Sequence, residues 1–274
     1  VPVGATLRKP PSEKVRLDQL LVARGLAESR ERAQALILAG RLEVEGRRAA
    51  KAGERVDSSA RLILLGPDHP FVSRGGVKLA GALVRFEIEP ADRVALDVGA
   101  STGGFTDCLL QRGARRVYAL DVGAGQLHDR LRRDPRVRAL EPINARNLKP
   151  EDLPESVSLI TVDVSFISLR LILPALVPLL AAGADLVTLV KPQFEVGRRE
   201  VGKGGIVRDS RLHRRVINEI LSFGATVGLS AMNLCASPLA GAEGNREYFL
   251  HFRTGETGAN PALLEQRLAE ATLP

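Results

Sequence analysis

The stretch "LDVGASTGGFTD", residues 96–107, decides the fold. The apolar run "RVALDVGA" (93–100) reads as a buried strand, and the glycines at 99, 103 and 104 break it. Helical spacing then predicts a helix over 103–112. A strand, a glycine turn and a helix in succession are the entry to an open α/β sheet. In such sheets ligands bind outside the carboxyl ends of the strands, where the strand order reverses. Gly99, Gly103 and Gly104 let the backbone approach a ligand closely. The spacing is G-x-x-x-G-G, not the G-x-G-x-x-G of a dinucleotide site, and no Gly-Lys-Ser/Thr ending makes it a P-loop.

The pattern continues outward in both directions. "RVYALDVG" (116–123), "VRAL" (137–140), "VSLITVDVSF" (157–166), "DLVTLV" (185–190) and "EYFLHFR" (247–253) read as strands. "QLHDRLRRD" (126–134) and "SRLHRRVINEILSFGA" (210–225) read as helices between them. "LILPALVPLLAAGA" (171–184) reads as a buried helix beside the sheet; it is shorter than the ~20 residues a spanning helix needs, and it carries two prolines. This alternation predicts an α/β domain with a mostly parallel, doubly wound sheet over 72–256. Gly66, Pro67 and Pro70 place a linker at 66–71, residues 15–65 form a small α+β unit, 1–14 a disordered tail, and 257–274 a C-terminal helix or tail.

In the small unit, Leu17, Leu20 and Leu21 recur at helical spacing, Ser29 is placed to cap a second helix, and "RLEVEGRR" alternates as a strand turning at Gly46. The words "SRERAQALILAGRLEVEGR" (29–47) resemble the S4 RNA-binding domain at Ser29, Arg30, Ala33, Leu36, Ile37, Gly40, Val44 and, one residue early, Gly46. The resemblance implies RNA binding; by charge, Arg30, Arg32, Arg41, Arg47 and Lys51 form a candidate RNA-binding face, the alternative being a plain solvated helix face. Arg24 and Arg48 belong to the same candidate basic face, which suits phosphates.

The glycine loop has acidic company. Asp97 precedes the first glycine and suits a methionine amino group; Asp121 ends the next strand and suits ribose hydroxyls. Together they resemble the S-adenosylmethionine site of Rossmann-like methyltransferases. The usual middle glycine is Ser101 here, a departure found in the D-x-G-A-x-x-G-G form of ribosomal-RNA 2′-O-methyltransferases. The resemblance implies a donor site at Asp97, Gly99, Ser101, Gly103, Gly104, Phe105, Asp121, Asn144 and Asp163, with Arg146 beside Asn144 in "INARNL". Asn144 could equally cap a helix.

Further polar residues fall at the same sheet edge. Asp163 follows "LITV", Lys191 ends "DLVTLV" just before Pro192, and Glu247 opens "EYFLHF"; Lys78 sits on the helix of "SRGGVKLAGAL". Two lysines and two carboxylates near one site are costly without a task. A ribose hydroxyl attacking a sulfonium methyl needs orientation and proton removal, which a suitably placed lysine can perform. Lys191 is the candidate general base, with Lys78 and Glu247 orienting and Asp163 between donor and base. The four residues resemble the Lys-Asp-Lys-Glu tetrad of FtsJ-type 2′-O-methyltransferases. "SRGGVKL", "LDVGASTGGFTD", "DVSFISL", "LVKPQFEVG" and "GNREYFL" are similar to the TlyA (hemolysin A) family, which joins an S4 domain to an FtsJ-like methyltransferase. That resemblance implies 2′-O-methylation of cytidine in ribosomal RNA, with rRNA or ribosomal subunits as partner and S-adenosylmethionine as cofactor.

Composition is compatible with this. The formal charge of +7 and pI near 9.9 suit a polyanionic partner. The two cysteines, Cys108 and Cys235, form no metal-type pair, the four histidines have no ligand spacing, and no metal is expected. A reducing, cytoplasmic setting fits, and "VPVGATLRKPPSEK" has no apolar leader region. The rival readings are a membrane-active haemolysin, for which no spanning helix or amphipathic array is expected, and a non-catalytic RNA-binding assembly factor. The irregular, charged stretch "EVGRREVGKGGIVRD" (195–209) suggests either a loop closing on RNA through Arg198, Arg199 and Lys203 or a plain surface loop.

Overall fold

The computed structural model describes residues 14–27, 29–38, 40–49, 51–65, 69–241 and 244–273, leaving aside the side chains of Arg32 and Ala35. The tail expected at 1–14 lies outside the described residues except for Lys14, and so do residues 66–68 of the expected linker. The chain divides into two compact units, Val1–Pro70 and Phe71–Pro274.

The first unit runs β1 (Lys14–Arg16), α1 (Leu17–Ala23), α2 (Arg30–Leu38), β2 (Leu42–Val44), β3 (Arg47–Arg48), β4 (Arg55–Asp57) and β5 (Leu62–Leu64). β1 pairs with β4, and β3-β2-β5 form a three-stranded antiparallel sheet. The apolar faces of both helices, Leu17, Leu20, Leu21, Ala33, Leu36 and Ile37, close against Leu42 and Val44. Asp18 lies fully buried at this core and accepts from Arg16, Arg30 and Gln34.

The second unit runs α3 (Arg74–Phe86), β6 (Val94–Val98), α4 (Gly104–Gln111), β7 (Arg116–Leu120), α5 (Asp129–Arg132), β8 (Val137–Leu140), β9 (Val157–Val162), α6 (Leu173–Leu176), β10 (Leu180–Val190), α7 (Pro192–Glu195), α8 (Ser210–Thr226), β11 (Leu229–Ala236), β12 (Tyr248–Thr254) and α9 (Pro261–Ala271). Its seven-stranded sheet has the order β11-β12-β10-β9-β6-β7-β8. β10, β9, β6, β7 and β8 are mutually parallel; β12 is antiparallel to both of its neighbours. Every residue of β6 is buried, as expected for a central strand covered on both faces. The order reverses between β6 and β9, so the ligand crevice belongs at their carboxyl ends.

Two expectations change. The apolar stretch 171–184 is not one helix. Pro174 and Pro178 divide it into the four-residue α6 and a short 3₁₀ turn at Val177–Leu179, and from Leu180 it is already strand. A proline lacks the amide that a continuous helix needs. The edge strand β11 is not legible in the sequence, because its residues "LSAMNLCA" mix small, polar and apolar side chains without strict alternation. β10 is anchored at its far end, where Asp185 accepts from Arg93, His251 and Arg253. That anchorage fixes the strand whose other end leads into Lys191.

Candidate active site

The glycine loop is held in shape by its own carboxylates. Gly99 and Gly103 take φ of +84° and +94°, and Ser101 takes +48°. The left-handed backbone at 101 explains why glycine is the usual residue there; the serine bears a modest strain. A Cβ on Gly99 would overlap the Asp163 carbonyl oxygen, and one on Gly103 would overlap Leu131. Asp97 has no exposed surface. It accepts from Thr106 N at 2.8 Å, Thr106 Oγ1 at 2.7 Å and Thr161 Oγ1 at 3.2 Å, tying the start of α4 to β9. Burial first, and then the charge of Asp163, push its carboxyl up to about 7. Asp97 thus builds the loop and does not open directly onto the cleft where a methionine amino group was expected to meet it. Asp121 accepts from Ser101 N and Gly123 N, each at 2.8 Å, and keeps an edge on the cleft.

Three chambers meet along the carboxyl edge of the sheet. The first, about 490 Å³, is bordered by Asp121, Gln126, Ile143, Asn144, Ile167 and Ile172. Its apolar walls suit a flat ring, and its size falls within the ~300–1,000 Å³ usual for small-molecule sites. Asn144 borders it while its side chain accepts from Arg146 N, so it caps the 3₁₀ turn Ala145–Asn147 as well. The second, about 290 Å³, lies over the start of α4 and is bordered by Ser73, Arg74, Lys78, Thr102, Gly104 and Phe105. Gly99, Ser101, Asp163 and Ser165 border both. The third, about 440 Å³, is bordered by Lys78, Phe166, Lys191, Gln193, Asn245 and Glu247.

The four candidate catalytic residues gather where the chambers join, as two ion pairs. Lys191 Nζ stands 2.6 Å from Asp163 Oδ1 and donates to Ser165 Oγ at 2.9 Å. The contact with Asp163 is one of charges, since Oδ1 receives no aligned hydrogen bond; the aligned bond goes to the serine. Lys78 Nζ donates to Glu247 Oε2 at 2.5 Å. Both lysine side chains are only 12% exposed, so each cation is largely desolvated and held by its partner. Pro192 occupies the first position of α7 with Lys191 as its N-cap. It therefore starts a helix rather than merely ending a strand, a position where its missing amide costs nothing.

Residues 71–254, more than half of the chain, match the FtsJ-like methyltransferase family. The chain belongs to that family. Residues 15–62 match the S4 domain. The 16S/23S rRNA (cytidine-2′-O)-methyltransferase TlyA of Mycobacterium tuberculosis is 48% identical over 89% of this chain and 91% of its own. Hemolysin A of Brachyspira hyodysenteriae is 42% identical over 87% of this chain and 99% of its own. A solved structure from Streptococcus thermophilus, 43% identical, superposes with a TM-score of 0.75 over 95% of this chain and 96% of that one.

This FtsJ-like chain spends part of its expected basic face on itself. Arg30 pairs with Asp18 at 3.2 Å, Arg47 with Glu54 at 2.8 Å, and Arg41 Nε donates to the Leu65 carbonyl at 3.4 Å. Arg24 donates to the carbonyls of Ser58 and Ala60 and so acts within the fold. Lys51 is exposed, and the side chain of Arg32 lies outside the described residues. The loop expected to close on RNA is fastened. Asn245 donates to Gly205 O at 2.9 Å and accepts from Val207 N at 3.0 Å, and Glu200 pairs with Arg215. Arg198, Arg199 and Lys203 remain exposed on it. Ser165, Gln193 and Asn245 also border the chambers, and the sequence pattern alone does not mark them. Their nearness to Asp163, Lys191 and Glu247 was the available signal.

Proposed function

We propose that the protein transfers the methyl group of S-adenosylmethionine to the 2′-hydroxyl of a ribose, that of cytidine, in ribosomal RNA. The observation that carries this reading is the meeting of the Lys191–Asp163 and Lys78–Glu247 pairs at the junction of three chambers. The residues present fit the donor. Asp121 stands at the edge of an apolar chamber suited to adenosine, and Arg74 and Thr102 border a polar chamber suited to an amino-acid end. When bound, the donor supplies an electrophilic sulfonium methyl. Asp163 and Ser165 orient Lys191; once relieved of its own proton, Lys191 would take the proton of the 2′-hydroxyl as the oxygen bonds the methyl carbon and the sulfur–carbon bond breaks, with S-adenosylhomocysteine leaving. Lys78, fixed by Glu247, orients the ribose. Substrate specificity for cytidine follows the activity named for TlyA, and the S4 domain supplies RNA affinity apart from the cleft.

A cytoplasmic setting goes with this reading. Cys108 and Cys235 are free thiols, pushed up by burial to about 12 and about 11, and so unreactive. Among the described residues no helix is long and apolar enough to cross a membrane, and the chemistry of the cleft favours methyl transfer over a membrane-active role. The test is incubation with labelled methyl donor and separated ribosomal subunits, followed by mapping of the modified ribose. Label on a cytidine 2′-oxygen is expected; absence of label from every RNA overturns the reading.

A further inference from the structure

We propose that Gln193 selects the base whose ribose is methylated, by accepting a hydrogen bond from the exocyclic amine of cytosine. The inference rests on the ribose-methylation reading above and adds the means of base choice.

Gln193 stands two residues beyond Lys191, in the single turn of α7, and borders the third chamber with Lys78, Lys191 and Glu247. Its Oε1 is buried and has no hydrogen-bond partner among the described residues. A buried amide oxygen without a donor is unfavourable and uncommon. Beside a cleft, such an acceptor is satisfied when the occupant brings an N–H.

The surroundings hold α7, and with it the backbone of Gln193, in place. Glu195, at the end of α7, accepts from Ser168 Oγ at 2.6 Å and Leu169 N at 2.7 Å. Those bonds fix α7 to the segment that carries Asp163, Ser165 and Phe166. Across the chamber the Asn245 amide fixes Gly205 and Val207. Phe166 and Phe194, with ring centroids 4.9 Å apart, give the chamber an apolar wall. Phe166 is 90% exposed and held at φ +64°, a conformation unusual for an aromatic residue.

An apolar wall with one orphan acceptor discriminates between pyrimidines. Cytosine and uracil have nearly the same outline and differ at position 4, where cytosine carries an amine donor and uracil a carbonyl acceptor. Turned toward the occupant, the Gln193 oxygen accepts from the amine, whereas the uracil carbonyl offers it no donor. A site that hydrogen-bonds one substrate rejects an analogue lacking the matching group, because its own polar atom is left unpaired.

The test compares single-turnover methyl transfer to matched RNA carrying cytidine or uridine at the mapped position. Wild type, Gln193→Met and Gln193→Glu are assayed with donor affinity measured in parallel. Gln193→Met removes the acceptor at similar volume and is expected to lower transfer to cytidine by roughly ten- to a hundredfold, to erase the preference over uridine, and to leave donor affinity unchanged. Gln193→Glu keeps an acceptor at the same reach and is expected to keep the preference. An unchanged cytidine preference in Gln193→Met overturns this inference alone. A wild-type protein that methylates no RNA overturns the ribose-methylation reading itself.

Discussion

Asp97→Asn isolates the electrostatic cost built into the glycine loop. The carboxyl is fully buried and shifted from its ordinary 3.8 to about 7, chiefly by desolvation. Its folded value thus lies above its unfolded one, so the folded state binds the extra proton. The stability this contributes is complete below about pH 4 and is lost as pH rises through about 7. The whole displacement corresponds to about 4 kcal/mol, of which about 2.5 kcal/mol falls between pH 5 and 8. Asparagine fits the same place: its oxygen can accept from Thr106 N and Oγ1, and its amide can donate to Thr161 Oγ1, with no group left to titrate. Urea unfolding followed by circular dichroism, at fixed ionic strength from pH 5 to 8, provides the measurement. Relative to Asp97→Asn, wild type is expected to lose about 2.5 kcal/mol across that range. Parallel curves for the two proteins refute the buried, elevated carboxyl.

Three other outcomes follow from the same geometry. Gly103→Ala, at φ +94° and against Leu131, is expected to cost roughly 1–3 kcal/mol from the backbone alone and to weaken donor binding, read by thermal unfolding and calorimetry. Ser165→Ala removes the aligned bond to Lys191 and is expected to lower kcat on the order of tenfold with little change in donor KM, read by steady-state kinetics. The pair Arg198→Ala/Arg199→Ala is expected to weaken RNA binding and to reduce the slope of log affinity against log salt by about 1.5, with donor affinity unchanged. An unchanged slope removes the two arginines from the RNA contact.

The residues that sequence could place were those whose chemistry conflicts with their surroundings. Lys191 at the end of an apolar strand, Asp163 after "LITV" and Gly99 and Gly104 of the 96–107 loop each break a local pattern, and each lies at the crevice. What was hidden depended on partners far along the chain. Asp97 reads as a ligand-facing acid until Thr106 and Thr161 are seen to consume it. Arg24, Arg30 and Arg47 read as a phosphate face until Ala60, Asp18 and Glu54 take them. β11 was hidden because its role as an edge strand comes from pairing with β12, not from its own periodicity. Pro174 and Pro178 did signal a broken helix, but the surrounding leucines masked where the strand began.

The most direct measurement of the central claim is single-turnover transfer from labelled S-adenosylmethionine to ribosomal subunits by wild type and Lys191→Met, with donor affinity measured on both. Removing the base is expected to cost at least about a hundredfold in transfer rate while donor affinity stays near wild type, because Lys191 does not border the apolar chamber assigned to adenosine, where Asp121 and Asn144 stand. Transfer at the wild-type rate by Lys191→Met contradicts the assignment of Lys191 as the base.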